Sequence, residues 1–229
     1  MSISSKSIAA KKTPVSQRQK TKQQKQTRNL ILSAATRVFA AYPYHTASIR
    51  MIGKAAGIDH PLINYYFPTK AELFEEVLKK ETEKYYVANI SWFDGIPELS
   101  PKKGLSLYLD RFFAFALDHP EVLRIITLNL AQPEKSAIIP GYQQIQDFFA
   151  RAAHTFMQAV PLQGSKREIE IFTTNFNTLA VNYLGADTYY AGIMGMAPGS
   201  SQYLQWVKEN MMHVFLPQLK QILRSRDME

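Results

Sequence analysis

His60, Pro61, Leu62, Asn64 and Tyr65 fall in one run of six residues, bounded by Gly57-Ile-Asp59 before and Phe67-Pro68 after. The carboxamide of Asn64 sets a donor beside an acceptor, the pattern that matches an adenine edge in the major groove of DNA. The His60 imidazole can donate to a phosphate or to a guanine edge. Pro61 and Leu62 offer apolar contact to thymine methyls. Tyr65 and Lys70 suit backbone phosphates, which fix register without reading sequence. This is recognition chemistry, and it makes or breaks no bonds.

Such side chains work only if a scaffold holds them out together. Ile49, Ile52 and Ala56 repeat at helical spacing, which predicts a short helix over 48–55 with one apolar face. Gly57 can adopt positive φ without Cβ strain and lets the chain leave that helix sharply. Ile58 plugs the corner, and Asp59 can accept from the free amides that open a second helix over 60–66. Pro61 sits in its first turn, where a missing N–H costs nothing, and Phe67-Pro68 ends it. Ile63 and Tyr66 turn inward, leaving His60, Pro61, Leu62, Asn64 and Tyr65 outside. Two short helices crossing at a glycine turn form a helix-turn-helix. A preceding helix over 28–41 braces the pair with a stripe of Leu30, Ile31, Ala34, Ala35, Val38 and Phe39. A fourth helix opens after Thr69, whose hydroxyl with Glu72 suggests a capping box, and runs to about Ala88.

Ile31-Leu-Ser-Ala-Ala35, Val38-Phe39, Ile52-Gly-Lys-Ala-Ala-Gly-Ile58, Tyr65-Tyr-Phe-Pro-Thr-Lys70 and Leu73-Phe74 together resemble the DNA-binding domain of the TetR family of bacterial transcriptional regulators. The resemblance covers 27–80, and several spaced motifs match in order and register. Pro43, Ala47, Gly53 and Asn64 stand where the family more often has glycine, threonine, alanine and tyrosine. By this resemblance the positions of Ser48 and Arg50 also contact DNA, Arg50 by forking onto a guanine or gripping a phosphate. It further implies an apolar cavity for a small-molecule effector in the second domain, and a homodimer on a palindromic operator.

Charge is divided unevenly. Residues 1–70 hold twelve Lys/Arg and one acid, net +11; residues 71–229 hold fifteen Lys/Arg and eighteen acids, net −3; the two sum to the +8 of the chain. A basic first third beside a mildly acidic remainder marks a polyanion-binding unit joined to something else. Residues 1–26 are polar and low in complexity and read as a disordered basic tail, either a solvated extension or an arm that follows phosphates. There is no cysteine, no apolar run near the ~18 residues of a membrane span, and no secretory h-region, so a cytoplasmic protein without membrane contact is expected.

Beyond residue 100 the pattern is helical throughout, over 104–117, 121–130, 140–160, 166–186 and 202–224. Breaks fall at Pro101, His119-Pro120, Pro133, Pro161–Gly164 and the 192–201 loop. The expected fold is all-α: a three-helix DNA-binding domain over 27–80 and a helical ligand-binding and dimerisation bundle over 81–229. Aromatic stripes at helical spacing are ordinarily core. Read instead as pocket, the candidates are Tyr108, Phe112, Phe115, Phe149, His154, Phe176 and Tyr183. Between Ile171 and Ala186 no residue is charged, and the last two helices are apolar on more than one face. With the resemblance, this makes Phe172, Leu179, Leu204, Val207, Met211 and Phe215 candidate dimer contacts. The five histidines lack metal-ligand spacing, and neither a phosphate-cradling loop nor a nucleophile elbow occurs. A ligand-responsive regulator, and not an enzyme, is therefore expected, with no cofactor. A constitutive DNA-binding protein whose aromatics are only core is the other reading.

Overall fold

A computed structural model describes residues 14–130 and 139–223, with side chains from residue 21 onward. The first thirteen residues, the break at Pro133 and Arg224 lie outside the described residues. Ten helices and no strand occur among the described residues. In chain order they are α1 (Pro14–Ala41), α2 (Ile49–Ala56), α3 (His60–Tyr66), α4 (Lys70–Ser91), α5 (Pro101–Asp118), α6 (Pro120–Leu130), α7 (Tyr142–Ala159), α8 (Lys166–Gly185), α9 (Asp187–Ile193) and α10 (Ser201–Ile222).

Two elements differ from expectation. α1 begins fourteen residues earlier than 28, so 14–26, read from composition as disordered, form the first half of a 28-residue helix. Lys, Gln and Arg are good helix formers, and a helix already nucleated on the core extends through them at little cost. α9 was not anticipated; seven residues are too few to show a period.

α1 packs on α2, α4 and α6, and α8 packs on α6, α7, α9 and α10. One apolar cluster runs unbroken from Ile31, Phe39, Ile52 and Ile63 through Phe74 and Leu123 to Phe172 and Phe215. α4 joins its first part to the bundle, packing on α1, α6 and α7. Its 22 residues span about 33 Å at the helical rise, from the helix-turn-helix to the bundle. Glu81, the one nearly fully buried carboxylate among the described residues, lies midway along it, 2.5 Å from Lys84 Nζ and within reach of the Thr36 hydroxyl of α1 at 3.5 Å.

Around the far half of α4 the aromatics interlock. The Tyr85 ring lies 4.6 Å from Phe148, 5.2 Å from Trp92, 5.7 Å from Phe115 and 6.0 Å from Phe112. Burial pushes the Tyr85 and Tyr108 phenols up, and it raises Tyr86 to about 12 even though the Arg151 guanidinium 3.4 Å over its ring pulls the other way. These groups hold their protons in the folded chain after the unfolded chain has released them near pH 10. Their contribution to stability should therefore be level below pH 10 and fall as the pH rises from 10 toward 12. Urea unfolding across an alkaline series tests this; an unchanged midpoint through that window would contradict the burial of these phenols.

Candidate nucleic-acid interface and effector cavity

The helix-turn-helix is built as its residues dictate. Ser48 caps α2, its hydroxyl accepting from the Met51 amide at 3.3 Å, and Gly57 closes α2 in the left-handed region at φ 66°. A Cβ on Gly53 would stand 2.7 Å from the Ile58 carbonyl oxygen and 3.4 Å from Ile63 Cδ1, so the bare glycine lets the turn fold down onto α2. Asp59 is the N-cap of α3 by backbone only; its carboxylate makes no cap hydrogen bond, and Pro61 supplies the helical start instead. At α4, Thr69 accepts from the Glu72 amide at 3.1 Å, but the Glu72 carboxylate takes the Thr69 hydroxyl and not the Thr69 amide, so the capping box is half formed.

Ile63 is fully buried, while His60, Pro61, Leu62, Asn64 and Tyr65 all face solvent, Tyr65 at 69% exposure. Arg50, Lys54 and His60 rim a shallow depression over Gly53 and Gly57. Lys54 was not among the residues singled out from sequence; its exposure and its place beside Arg50 were legible in the helical spacing. Ser48 is half-buried. Lys70 is occupied: its ammonium donates to the Tyr44 carbonyl at 2.8 Å and the Ala47 carbonyl at 3.0 Å, and lies 4.2 Å over the Tyr44 ring. Desolvation there lowers its pKa. Two of its three N–H donors are spent inside the molecule, so its part is to latch the turn between α1 and α2.

The same turn is held from the other side. Asn129 of α6, fully buried, accepts from the Tyr44 amide at 3.0 Å and donates to the Ile125 carbonyl at 2.7 Å. Sequence reading passed over it. The available signal was a carboxamide at a stripe position, following Val122, Ile125 and Ile126 at helical spacing. α4 and α6 thus grip one turn, and that turn leads directly into α2.

At the other end of α4 lies a cavity of about 110 Å³, bounded by the 93–101 segment, α5, α7, α8 and the end of α10. Of the seven pocket candidates, Tyr108 and Phe176 line it. Phe112 and Phe115 do not; they point into the Tyr85–Trp92 cluster, 5.1 and 5.4 Å from the Trp92 ring. Phe149 packs against Phe148, and His154 faces solvent on α7. Tyr183 stacks its edge on Trp206, with its hydroxyl 3.4 Å from Asn210 Oδ1. The lining from Ile96, Pro97 and Leu99 was not anticipated, because the segment between α4 and α5 has no period to read.

The candidate dimer contacts need correction as well. Phe172, Val207, Met211 and Phe215 are all buried within the protomer, where Phe215 meets Phe172 at 5.6 Å and Phe176 at 5.1 Å. Leu179 and Leu204 are half-buried. The outward faces are Ile171, Thr174 and Thr178 on α8, and Gln205, Glu209 and His213 on α10. Among the described residues no group of three or more His, Asp or Glu could hold a metal ion, and no helix is long and apolar enough to cross a membrane.

Comparison with known proteins falls on the same segments. Residues 31–77 match the family model for bacterial regulatory proteins of the tetR family. The HTH-type transcriptional regulator RutR of Escherichia coli K12 is 24% identical over 129 residues, 49% of this chain and 59% of its own, so the match spans little more than half of that relative. A tetR-family regulator from Mesorhizobium loti shares the fold at TM-score 0.58 and 19% identity, over 85% of this chain and 96% of that one. The regulator FadR of Bacillus subtilis, solved in complex with stearoyl-CoA, aligns at TM-score 0.58 and 13% identity, over 82% and 97%. The segment that folds into the helix-turn-helix is thus the one that matches the tetR-family model, and the helical bundle behind it shares its fold with solved regulators.

Proposed function

We propose that this chain is a transcriptional regulator whose homodimer binds a palindromic operator through α3 and is released by a small effector held in the bundle, so that it acts as a repressor. The observation that carries the reading is the two-sidedness of α3: Ile63 is buried, Asn64 and Tyr65 are turned to solvent, and His60 of the same helix lies beside Arg50 and Lys54. Residues 27–80 are taken as the reader and 81–229 as the sensing and dimerising part. Two-fold symmetry would set the recognition helices about 34–36 Å apart, one turn of B-DNA. The outward faces of α8 and α10 are the proposed dimer contact.

The effector acts by shifting a population. Occupation of the cavity favours one placement of α4, whose first residue latches the Tyr44 turn, and the spacing of the two α3 helices changes with it. Moving such an equilibrium from 1:99 to 99:1 takes about 5.5 kcal/mol of differential affinity. The fold shared with FadR, which was solved with stearoyl-CoA, supports a bundle that admits a ligand.

Selection from randomised duplexes followed by anisotropy titration tests the reader. A two-fold symmetric site should emerge. Tyr65→Ala should weaken selected and random duplexes alike by roughly tenfold, the loss of ~1.4 kcal/mol. Asn64→Ala should relax preference at one base pair per half-site, where a bidentate pair discriminates by ~1–3 kcal/mol. An unaltered selection profile for Asn64→Ala would remove direct readout from that residue.

A further inference from the structure

The chemistry of the cavity is narrower than the effector reading on which this inference rests. No residue of its lining is charged. An ion taken inside would give up its hydration without a counter-charge, at a penalty of several kcal/mol. The polar groups are few, and one of them, the Thr173 hydroxyl, already donates to the Ile169 carbonyl at 2.9 Å.

Tyr108 is different. Its hydroxyl oxygen accepts from Asn89 Nδ2 at 3.0 Å. With that donor on the oxygen, the hydroxyl still has its own proton to offer. Asn89 is fully buried, and Asn89 Oδ1 is the one buried side-chain polar atom among the described residues that lacks a partner. A buried polar cluster left incomplete costs about 1–3 kcal/mol. Asn89 lies on α4, so whatever Tyr108 binds is felt by the helix that reaches the reader.

We propose that the cavity binds a small uncharged molecule, the size of a single aromatic ring with a short substituent, carrying one hydrogen-bond acceptor that takes the Tyr108 proton. Tyr108 is then the specificity-determining residue of the site. An apolar cavity of ~150 Å³ holds benzene, so about 110 Å³ opening to solvent suits this size and not a large polar group.

The test is calorimetric titration of the full-length protein with acetophenone, ethylbenzene and benzoate, which share a ring and differ in acceptor and charge. Acetophenone should bind about fivefold tighter than ethylbenzene, one net hydrogen bond of ~1 kcal/mol, and benzoate weaker than both. Tyr108→Phe should erase the preference for the ketone and leave ethylbenzene unchanged. Ala153→Phe, intruding from α7 in a chain checked for unchanged helicity, should abolish binding of all three. Benzoate binding as tightly as acetophenone, a ketone preference that survives in Tyr108→Phe, binding that survives in Ala153→Phe, or no binding at millimolar concentration overturns the proposal. DNA is absent from the measurement, so acetophenone binding that leaves operator affinity unchanged sinks the effector switch and sustains the site.

Discussion

Gly185→Val should lower the thermal midpoint by roughly 6–12 °C. Gly185 ends α8 where it crosses α6, and a Cβ there would be driven against Thr127 Oγ1 and to 2.7 Å from the Leu123 carbonyl oxygen. Backbone on the far side cannot swing away as a flexible side chain would. The two helices must part, and the Thr127 hydroxyl, 3.4 Å from the Val181 carbonyl, is lost with the contact. Overpacking of this kind costs ~1–3 kcal/mol, and valine at a backbone contact belongs at the upper end. A chain of this length loses about 2–4 °C per kcal/mol. Thermal unfolding followed by circular dichroism measures it; a midpoint within 2 °C of the parent would mean that α6 and α8 are not held this closely.

Asn129→Leu should uncouple the two halves of the molecule. Leucine keeps the volume but leaves the Tyr44 amide without its acceptor, a buried donor worth ~1–3 kcal/mol. The amide proton of Tyr44 should then exchange at least tenfold faster, which reads the lost bond directly. Effector binding and DNA binding should each persist, while the factor by which one changes the other falls by about tenfold, ~1.4 kcal/mol of coupling. Titrating DNA with and without a saturating effector gives that factor. If it is unaltered while Tyr44 exchanges faster, the signal passes along α4 alone.

How much of this was legible in the sequence depends on punctuation. α2 and α3 lie within a residue of expectation because Gly57, Pro61 and Phe67-Pro68 fix their ends by backbone sterics, which are local. α1 overran its expected start because composition was weighed as solvation, whereas glutamine and lysine extend a helix that the core has already nucleated. The pocket and dimer residues fared differently. Tyr108 and Phe112 lie on one stripe, a turn apart, yet one lines the cavity and the other the core; which edge of a stripe meets a gap is decided by the neighbouring helix. On α10 the strongest apolar stripe, Val207, Met211 and Phe215, serves the protomer's own core, so the weaker mixed face of Gln205, Glu209 and His213 is the one left outside. Lys70 shows the same limit. Its charge suggested a phosphate, and only the fold brings the carbonyls of Tyr44 and Ala47 to it.

The grip of Lys70 and Asn129 on Tyr44 lands outside α3, so the side chains that would choose a base pair are separate from those that would carry the signal. The two properties can drift apart over generations. A chimera taking residues 58–66 from a relative with another target, with Gly53 and the Tyr44 turn retained, should answer the same small molecule at a new promoter. On the proposed function, specificity would be a replaceable cartridge, and responsiveness would reside in the socket.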